Sequence, residues 1–328
     1  MRTLIRLLTL AALAAALPPA PGLRAQAPGA AAGPELYGEG VFSTPAWDFF
    51  MAWEPDGKTV YFCRANGSFT WFTILESRLE GGRWSEPRVA PFSGRWSDAD
   101  PHLSPDGRRL FFISNRPATG DTAAAEYDAW YVEKTASGWS EPRSAGAPVN
   151  GPRTEWSPAV AANGNLYFGT VREGGKGGND LYVARRVGAG YAEPENLGDS
   201  INTSRGELEP WIAPDESYLI FSGQGRMDGV GGLDLYVAER RGGVWQKARL
   251  LGGGVNTPAG DFNPSVSPDG RWLYFSSTRS RFDAVPPAPL PYAEIQRRLL
   301  SPGNGLGDIY RIPLSALESA DRPGARGG

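Results

Sequence analysis

A short apolar run returns five times along the chain, and each copy follows a polar turn. The runs are Val60-Tyr61-Phe62, Leu110-Phe111-Phe112, Leu166-Tyr167-Phe168, Leu219-Ile220-Phe221 and Leu273-Tyr274-Phe275. The turn contains Pro-Asp-Gly in three copies, and a variant of it at Ala162-Asn163-Gly164 and Ala213-Pro214-Asp215. Proline presets the first corner of a tight turn, and glycine accepts a left-handed conformation. Each copy therefore predicts two strands, A and B, joined by a tight turn.

A second phrase, Asp-x-Tyr or a close variant, follows four of these turns and predicts a third strand, C. Its members begin at Asp128, Asp180, Asp234 and Asp308. A glycine-bearing turn and an aromatic residue then predict an outer strand, D. Successive A–B turns lie 50, 57, 52 and 54 residues apart. A period of about fifty residues with four short strands is typical of a β-propeller, in which each repeat is one blade.

The two ends of the chain indicate how the ring closes. The last unit stops after its strand C, and the segment that begins at Leu36 resembles the strand D segment that begins at Leu250. We expect residues 38–44 to pair beside residues 308–312, which would cover an exposed sheet edge. The predicted fold is all-β: a five-bladed β-propeller of four-stranded blades, closed by an N-terminal outer strand. A sixth blade would need a further unit, and the remaining chain is too short for one.

Composition divides the chain into a leader, one domain and a tail. Residues 1–27 combine two early arginines, an apolar core and Ala25-Gln26-Ala27, and so predict a signal peptide that is cleaved after Ala27. Residues 28–35 are predicted as a linker, 36–315 as a single propeller domain and 316–328 as a flexible tail. Because the apolar core is too short to span a bilayer comfortably, we expect a periplasmic or secreted monomer with no membrane span.

The net charge and the small number of reactive side chains narrow the range of possible functions. Removing the three arginines of the leader moves the formal net charge from −3 to −6, which disfavours nucleic acid as a partner. The one cysteine, Cys63, is predicted to be a buried small hydrophobe. A single histidine, His102, cannot supply a His-based metal site or catalytic triad. We expect His102 to be packed and hydrogen-bonded, and we expect no metal or other cofactor.

An acidic residue stands seven positions before each turn, and an arginine follows each strand B. The acids are Asp48, Asp98, Glu155, Glu207 and Asp261, and the arginines are Arg64, Arg116, Arg172, Arg226 and Arg279. Strand A lines the channel of a propeller, and strand B runs antiparallel to it. All ten side chains are therefore predicted at one rim of the channel, with Asp100 and Glu209 two residues further in.

Two interpretations of this candidate ligand-binding rim stay open. Arginine and carboxylate form bidentate pairs that would pin the loops between blades, and five equivalent pairs favour this structural role. Alternatively, some acids are free and bind a cation, a sugar or a cationic peptide. Asp100 and Glu209, which break the five-fold pattern, are the first candidates for such free groups.

The segment 280–307 is far longer than the corresponding loops of the other units. Four prolines precede a predicted short helix over residues 292–300. Function on a repeat scaffold usually evolves through loop insertions on one face, so we expect this loop to lie over the charged mouth as the chief functional surface. Ile295, Leu299 and Leu300 are expected to anchor the helix, with Arg297 or Arg298 in solvent.

The repeated phrases resemble a known family. Ser-Pro-Asp-Gly with Leu-Tyr-Phe and Asp-Leu-Tyr-Val is similar to the PD40 (WD40-like) repeats of TolB-type propellers, and Asn196-Leu197-Gly198 with Ile201-Asn202-Thr203 resembles exported bacterial PD40 proteins. The resemblance implies an exported, usually non-catalytic platform that binds an envelope protein or a glycan through the charged channel face. TolB has six blades and an additional N-terminal domain, so its own partners are not carried over.

The alternative is an enzyme. Five-bladed furanosidase-type glycosidases place an acid, a base and a third carboxylate at the starts of inner strands, where Asp48, Asp98, Glu155 and Glu207 are predicted. Two carboxylates suffice for glycoside hydrolysis. However, a catalytic trio should be irregular, whereas these acids recur at one repeat position, which favours binding over catalysis. Three carboxylates without arginine partners around an aromatic-lined pocket would favour the enzyme.

Overall fold

The computed structural model describes residues 33–118 and 126–320. The predicted signal peptide, its cleavage site and most of the predicted linker lie outside the described residues. As predicted, the described chain is mostly β and forms five antiparallel sheets that are the blades of a five-bladed β-propeller. In the part of the chain that the structure describes, no helix is long and apolar enough to cross a membrane.

The blades follow one another along the chain. Blade one contains β2 (Trp47–Trp53), β3 (Thr59–Ala65), β4 (Phe72–Glu80), β5 (Arg83–Trp84) and β6 (Arg88–Val89). Blade two contains β7 (Asp98–Leu103), β8 (Arg109–Ser114), β9 (Asp128–Thr135), β10 (Gly138–Trp139) and β11 (Arg143–Ser144). Blade three contains β12 (Trp156–Val160), β13 (Leu166–Thr170), β14 (Asp180–Ala184), β15 (Arg186–Val187), β16 (Gly190–Tyr191) and β17 (Glu195–Asn196).

The last two blades repeat this order, with one strand taken from the other end of the chain. Blade four contains β18 (Gly206–Ile212), β19 (Tyr218–Gln224), β20 (Leu233–Arg241), β21 (Val244–Trp245) and β22 (Arg249–Leu250). Blade five contains β23 (Asp261–Val266), β24 (Trp272–Ser277), β25 (Asp308–Pro313) and β1 (Glu35–Leu36). Two helices, α1 (Tyr292–Leu299) and α2 (Leu314–Ala320), follow β24 and β25.

The repeated phrases build the parts of each blade that they predict. Gly57, Gly107 and Gly270 end their turns with positive φ angles of 66°, 69° and 68°, a conformation that glycine adopts without steric cost. The apolar strand B that follows is buried between neighbouring blades, and Phe62, Phe112, Phe168 and Phe221 are fully buried. The core is therefore spread between the blades, so each blade is stable only beside its neighbours.

The N-terminal segment closes the ring, but with other residues than predicted. Glu35 pairs with Arg311 and Leu36 with Tyr310 in β25, whereas residues 38–44 were expected to form this strand. Gly38 and Gly40 have φ angles of 64° and 84° and turn the chain away from the sheet. The alignment with the segment at Leu250 was right, since Leu250 pairs with Tyr236 at the equivalent place in blade four. The strand itself was predicted too long and too far along the chain.

The predicted flexible tail from residue 316 is also corrected in its first part. Helix α2 extends to Ala320, and Leu317 is buried in a core cluster with Leu251 and Ile312. Apolar side chains at 314 and 317 explain this, because they lie one turn apart on a helix and pack into the core between blades four and five. Residues 321–328 lie outside the described residues.

Candidate functional site

The ten charged side chains predicted at the rim form five ion pairs, one in each blade. The nitrogen–oxygen distances are 2.6 Å for Arg64 and Asp48, 2.6 Å for Arg116 and Asp98, 3.5 Å for Arg172 and Glu155, 3.3 Å for Arg226 and Glu207, and 2.7 Å for Arg279 and Asp261. All five carboxyl-bearing side chains are fully buried. The predicted pairing is present in every blade.

Each arginine also holds the loop that leads into its blade. The backbone carbonyls that accept from the five guanidinium groups belong to Val41, Phe92, Val149, Ile201 and Val255. The carboxylates accept further hydrogen bonds from Thr44, Ser93, Gly151, Thr203 and Thr257 in the same loops. Arg226 additionally lies over the Tyr236 ring, 4.1 Å from its centre. The rim groups are therefore engaged in holding adjacent blades together.

Burial affects the pKa values of Asp48 and Glu155 more than the neighbouring arginines do. Burial raises the pKa of Asp48 to about 6, although the charge of Arg64 acts in the opposite direction. Burial likewise raises the pKa of Glu155 to about 7, against a hydrogen bond from Gly151 and the charge of Arg172. Since both side chains have no exposed surface, they cannot touch a substrate at the rim, and a raised pKa alone does not make them catalytic.

Asp100 and Glu209 occupy a bulge that recurs in every strand A. The residue two positions after each rim acid has a positive φ: 58° at Phe50, 55° at Asp100, 51° at Ser157, 54° at Glu209 and 49° at Asn263. The strand register shifts at the same place in all five blades. Such φ values are strained for non-glycine residues. Their recurrence indicates that the bulge is a constant feature of the inner strands.

The bulge residues of neighbouring blades contact each other. Ser157 Oγ donates to Asp100 Oδ2 at 2.6 Å, and the backbone N–H of Asn263 donates to Glu209 Oε2 at 3.0 Å. Among the described residues, neither carboxyl forms an ion pair with an arginine. Burial and then the charge of Glu209 raise the pKa of Asp100 to about 7, and burial raises the pKa of Glu209. Both carboxyls thus retain a proton more readily than exposed acids do.

The opposite end of the channel opens into a cavity of about 270 Å³ beside the Pro-Asp-Gly turns. Residues of all five blades line this turn-face cavity, and none of the lining side chains in the described chain is charged. Its aromatic residues are Trp53, Trp211 and Tyr218, and the rings of Trp211 and Tyr218 lie 5.5 Å apart. A concave, largely apolar surface with a few polar groups is the usual form of a ligand site.

Three residues that line the turn-face cavity carry polar groups that are largely or wholly buried. His102 is packed and hydrogen-bonded to the backbone of Val160, as predicted, and burial lowers its pKa to about 4, so it is neutral at neutral pH. Ser265 Oγ and Trp53 Nε1 are buried and have no hydrogen-bond partner. Sequence reasoning selected His102 but missed Trp53, Trp211, Tyr218 and Ser265. These residues were missed because a search for repeats selects positions that are alike, whereas these positions differ from blade to blade.

The loop 280–307 starts and ends at the rim, where blades five and one meet. Its base is closed by a hydrogen bond from Arg281 N–H to the Gly303 carbonyl, at 2.9 Å. Asn304 Nδ2 donates to the Pro45 carbonyl at 3.2 Å, and Arg281 pairs with Glu39 at 2.8 Å. The loop therefore contacts the rim beside Asp48; that it covers the mouth of the channel stays a prediction.

The predicted anchoring of helix α1 was wrong. No residue of the helix is buried, and Ile295, Leu299 and Leu300 are 42%, 63% and 69% exposed. The helix is instead held through Phe282, whose ring lies 5.7 Å from the guanidinium of Arg297 and 5.3 Å from that of Arg298. Because both arginines are turned towards Phe282 and Glu294, the aliphatic side chains remain on the open side.

Among the described residues there is no group of three or more His, Cys, Asp or Glu side chains that could hold a metal ion. No protein-family model and no curated protein sequence matches the chain. A solved α-L-arabinofuranosidase from Lactobacillus brevis is similar with a TM-score of 0.51 and 11% identity, over 84% of this chain and 92% of that one. At this identity the likeness supports the fold and not a shared activity.

TolB from Acinetobacter baumannii is similar with a TM-score of 0.47 and 13% identity, over 82% of this chain and 54% of that one. This chain thus spans about half the length of that TolB chain. A gluconolactonase from Xanthomonas campestris is similar with a TM-score of 0.44 and 11% identity, over 86% of this chain and 95% of that one.

Proposed function

We propose that this protein is a non-catalytic, exported binding protein of the bacterial envelope, which holds a protein partner on its rim face. The observation that carries the proposal is the pairing of all five rim acids with arginines. A rim whose acids are buried and neutralised supplies neither a free general acid nor a free base. It does supply a rigid base for a surface loop.

The loop 280–307 is the surface on which we place the partner. Its exposed side chains include three large apolar or aromatic ones: Val285 is 92%, Tyr292 73% and Leu299 63% exposed. Tyr292, Ile295 and Leu299 follow each other at helical spacing and so lie on one side of α1. Exposed apolar groups of this kind, bordered by charged side chains such as Arg297, are typical of protein–protein contacts.

Capture of a partner from envelope extract by three variants of the protein tests this proposal. In the first variant residues 282–302 are replaced by Asn-Gly, a turn that suits the hairpin closed by Arg281 and Gly303. The second, Leu299→Ser with Leu300→Ser, changes only the exposed apolar residues. The control, Val187→Ser with Val244→Ser, removes two valines that are 62% and 64% exposed on outer hairpins.

We expect the wild type and the valine control to capture the same protein, and both loop variants to lose at least about ten-fold in affinity. Capture by the loop-replaced variant at wild-type affinity would show that the rim face is not the binding surface. Circular dichroism of all variants checks that the propeller remains folded.

Glycoside hydrolysis is the second candidate function, and the unpaired Asp100 and Glu209 are the observation that favours it. A carboxyl with a raised pKa beside a second carboxyl has the composition of a glycosidase site. We expect no hydrolysis of p-nitrophenyl arabinofuranosides or pyranosides by the wild type. Turnover that is lost in both Asp100→Asn and Glu209→Gln would replace the binding proposal with an enzymatic one.

A further inference from the structure

We propose that the turn face carries a second binding site, separate from the rim face, and that this site holds a proline-rich segment of a partner protein. The site is the turn-face groove, which lies between blades five and one and has a volume of about 500 Å³. Trp53, Pro55, Ser267 and Pro268 line both this groove and the turn-face cavity, so the two are continuous. The inference does not depend on the loop 280–307 or on its partner.

Aromatic side chains held in fixed positions form the walls of the groove. Trp84 Nε1 donates to the Tyr37 hydroxyl at 3.0 Å, and the Arg311 guanidinium lies 4.3 Å from the centre of the Trp272 ring. Trp84 and Trp272 are partly exposed, and Leu79, which also lines the groove, is 37% exposed. Since these side chains are already ordered, a ligand that packs against them loses little binding energy to side-chain ordering.

Trp272 distinguishes this junction between blades from the others. The equivalent positions, directly before the apolar run of strand B, hold Thr59, Arg109, Asn165 and Tyr218. The fold therefore does not require a tryptophan at this position, in contrast to the arginines that recur at the rim. Its indole is free to serve a ligand of this one groove.

The polar groups of the groove are few and mostly engaged, which disfavours a sugar. Ser267 Oγ donates to Asp269 Oδ1 at 2.5 Å, and Asp269 also pairs with Arg271. The indole N–H of Trp272 donates no hydrogen bond within the described part of the chain and is available to a ligand. A sugar ring carries several hydroxyl groups, each of which both donates and accepts, and most of them would find no partner here.

A proline-rich segment suits these walls and this single donor. Proline has a backbone carbonyl but no N–H, and the polyproline II conformation forms no internal hydrogen bonds. The segment therefore brings acceptors for the Trp272 N–H and few donors of its own. Proline-rich segments recurrently bind aromatic-lined grooves, because they are already extended before they bind.

The charge of the groove adds a basic residue to the expected partner. The lining includes Asp56 and Asp269 and no basic side chain, and Asp56 forms no ion pair within the described part of the chain. An arginine or lysine next to the prolines would thus lie beside an acid of opposite charge. At its inner end the groove opens into the turn-face cavity, whose lining is uncharged at neutral pH and can receive an apolar side chain of the segment.

Titration of the full-length mature protein with the synthetic peptide Arg-Pro-Leu-Pro-Pro-Leu-Pro, followed by calorimetry, tests the site. The matched peptide Arg-Ala-Leu-Ala-Ala-Leu-Ala keeps the charge and the leucines but lacks the prolines, and methyl glucoside is the sugar probe. We expect saturable binding of the proline peptide alone. Trp272→Ala should weaken this binding at least about ten-fold. Leu79→Arg, which places a charge of the same sign as the peptide's at an exposed position of the groove, should also weaken it.

Two controls separate this site from others. Trp71→Ala removes a tryptophan that is 43% exposed outside the groove, and the variant with residues 282–302 replaced lacks the rim-face loop; both should bind the peptide as the wild type does. Absence of saturable binding by the proline peptide would overturn the proposal, as would equal binding by the alanine peptide or by the Trp272→Ala variant.

Two further outcomes would assign the groove to another occupant. Binding of methyl glucoside in place of the peptide would overturn the proposal in favour of a sugar. The loop 280–307 itself contains Pro286, Pro287, Pro289 and Pro291. Self-association of the wild type that disappears in the loop-replaced variant would therefore overturn the proposal in favour of a second copy of this chain.

Discussion

The two mouths of the channel have opposite chemistry, although the same five strands form both. At the rim, ten charged side chains occupy equivalent positions in every blade, and each acid is paired with an arginine. At the turn face, uncharged residues that differ from blade to blade line a cavity. Groups that recur in all blades support the fold, because each blade needs the same contact with its neighbour. Groups that differ between blades are free to serve a ligand.

Opening the ring should lower the free energy of unfolding more than any other change, because both mouths of the channel depend on ring closure. Deleting residues 33–46 removes β1 together with Phe42, which is fully buried. Phe42→Ala alone should lower the free energy of unfolding by about 3–5 kcal/mol, and the deletion should lower it further by exposing the edge of β25. Urea denaturation followed by circular dichroism measures both. A deletion variant as stable as the wild type would refute closure by this segment.

Breaking one rim pair should destabilise the protein without affecting the turn-face cavity. Arg116→Ala leaves Asp98 fully buried without its ion-pair partner, and removing one member of a buried pair costs about 3–5 kcal/mol. The exposed pair of Arg241 and Glu239 is the control, and Arg241→Ala should cost less than about 1 kcal/mol. Equal unfolding free energies for the two variants would contradict the structural role of the rim.

The acids between the two mouths should show their coupling in a pH dependence. The pKa of Asp100 is about 7 in the folded chain and about 3.9 when unfolded. The stability that protonated Asp100 provides is therefore fully present below about pH 4 and lost as the pH rises to about 7.

Asp100→Asn abolishes this dependence, so the variant should gain roughly 1–3 kcal/mol relative to the wild type between pH 5 and pH 8. His102, with a pKa of about 4, stays neutral over this range. Denaturant unfolding at the two pH values measures the gain. If the unfolding free energies of Asp100→Asn and the wild type differ by the same amount at pH 5 and at pH 8, Asp100 is an ordinary carboxylate that Glu209 does not influence.

The smallest effect is expected at the exposed helix. Leu299→Ser with Leu300→Ser should change the free energy of unfolding by less than about 0.5 kcal/mol, because both side chains are more than half exposed. Thermal and urea unfolding measure the difference. A loss of several kcal/mol would mean that these leucines anchor the loop after all.

Most of the fold could be predicted from the sequence because the propeller repeats its local signals. The turns, the buried B strands and the five Arg–acid pairs each follow from a phrase that occurs five times. The exact closing residues could not be predicted, because two-residue outer strands such as Glu35–Leu36 carry no periodic pattern of their own. The burial of Leu317 depends on contacts with distant residues, which local composition does not report.

The residues of the turn-face cavity were less predictable, because they do not repeat from blade to blade. Charged residues at fixed spacing predicted a candidate site at the rim. In the structure an arginine pairs with each of the five rim acids. Trp211 and Ser265 occupy equivalent repeat positions but have no chemistry in common, so no motif marks them. Ile295 and Leu299 were expected to be buried because apolar residues usually are, yet a short helix at the edge of the ring has no neighbouring element to cover it.

The most direct test of the difference between the two mouths is to record the indole N–H resonances of ¹⁵N-labelled protein during titration with the proline-rich peptide. Trp211 lines the turn-face cavity and Trp272 the turn-face groove, and both are partly exposed. In contrast, Trp47 and Trp156 each stand beside a rim acid. Tryptophan-to-phenylalanine variants assign the signals. The account predicts a saturable shift of the Trp211 and Trp272 resonances while those of Trp47 and Trp156 stay in place. A shift confined to Trp47 or Trp156, or no shift at all, would contradict it.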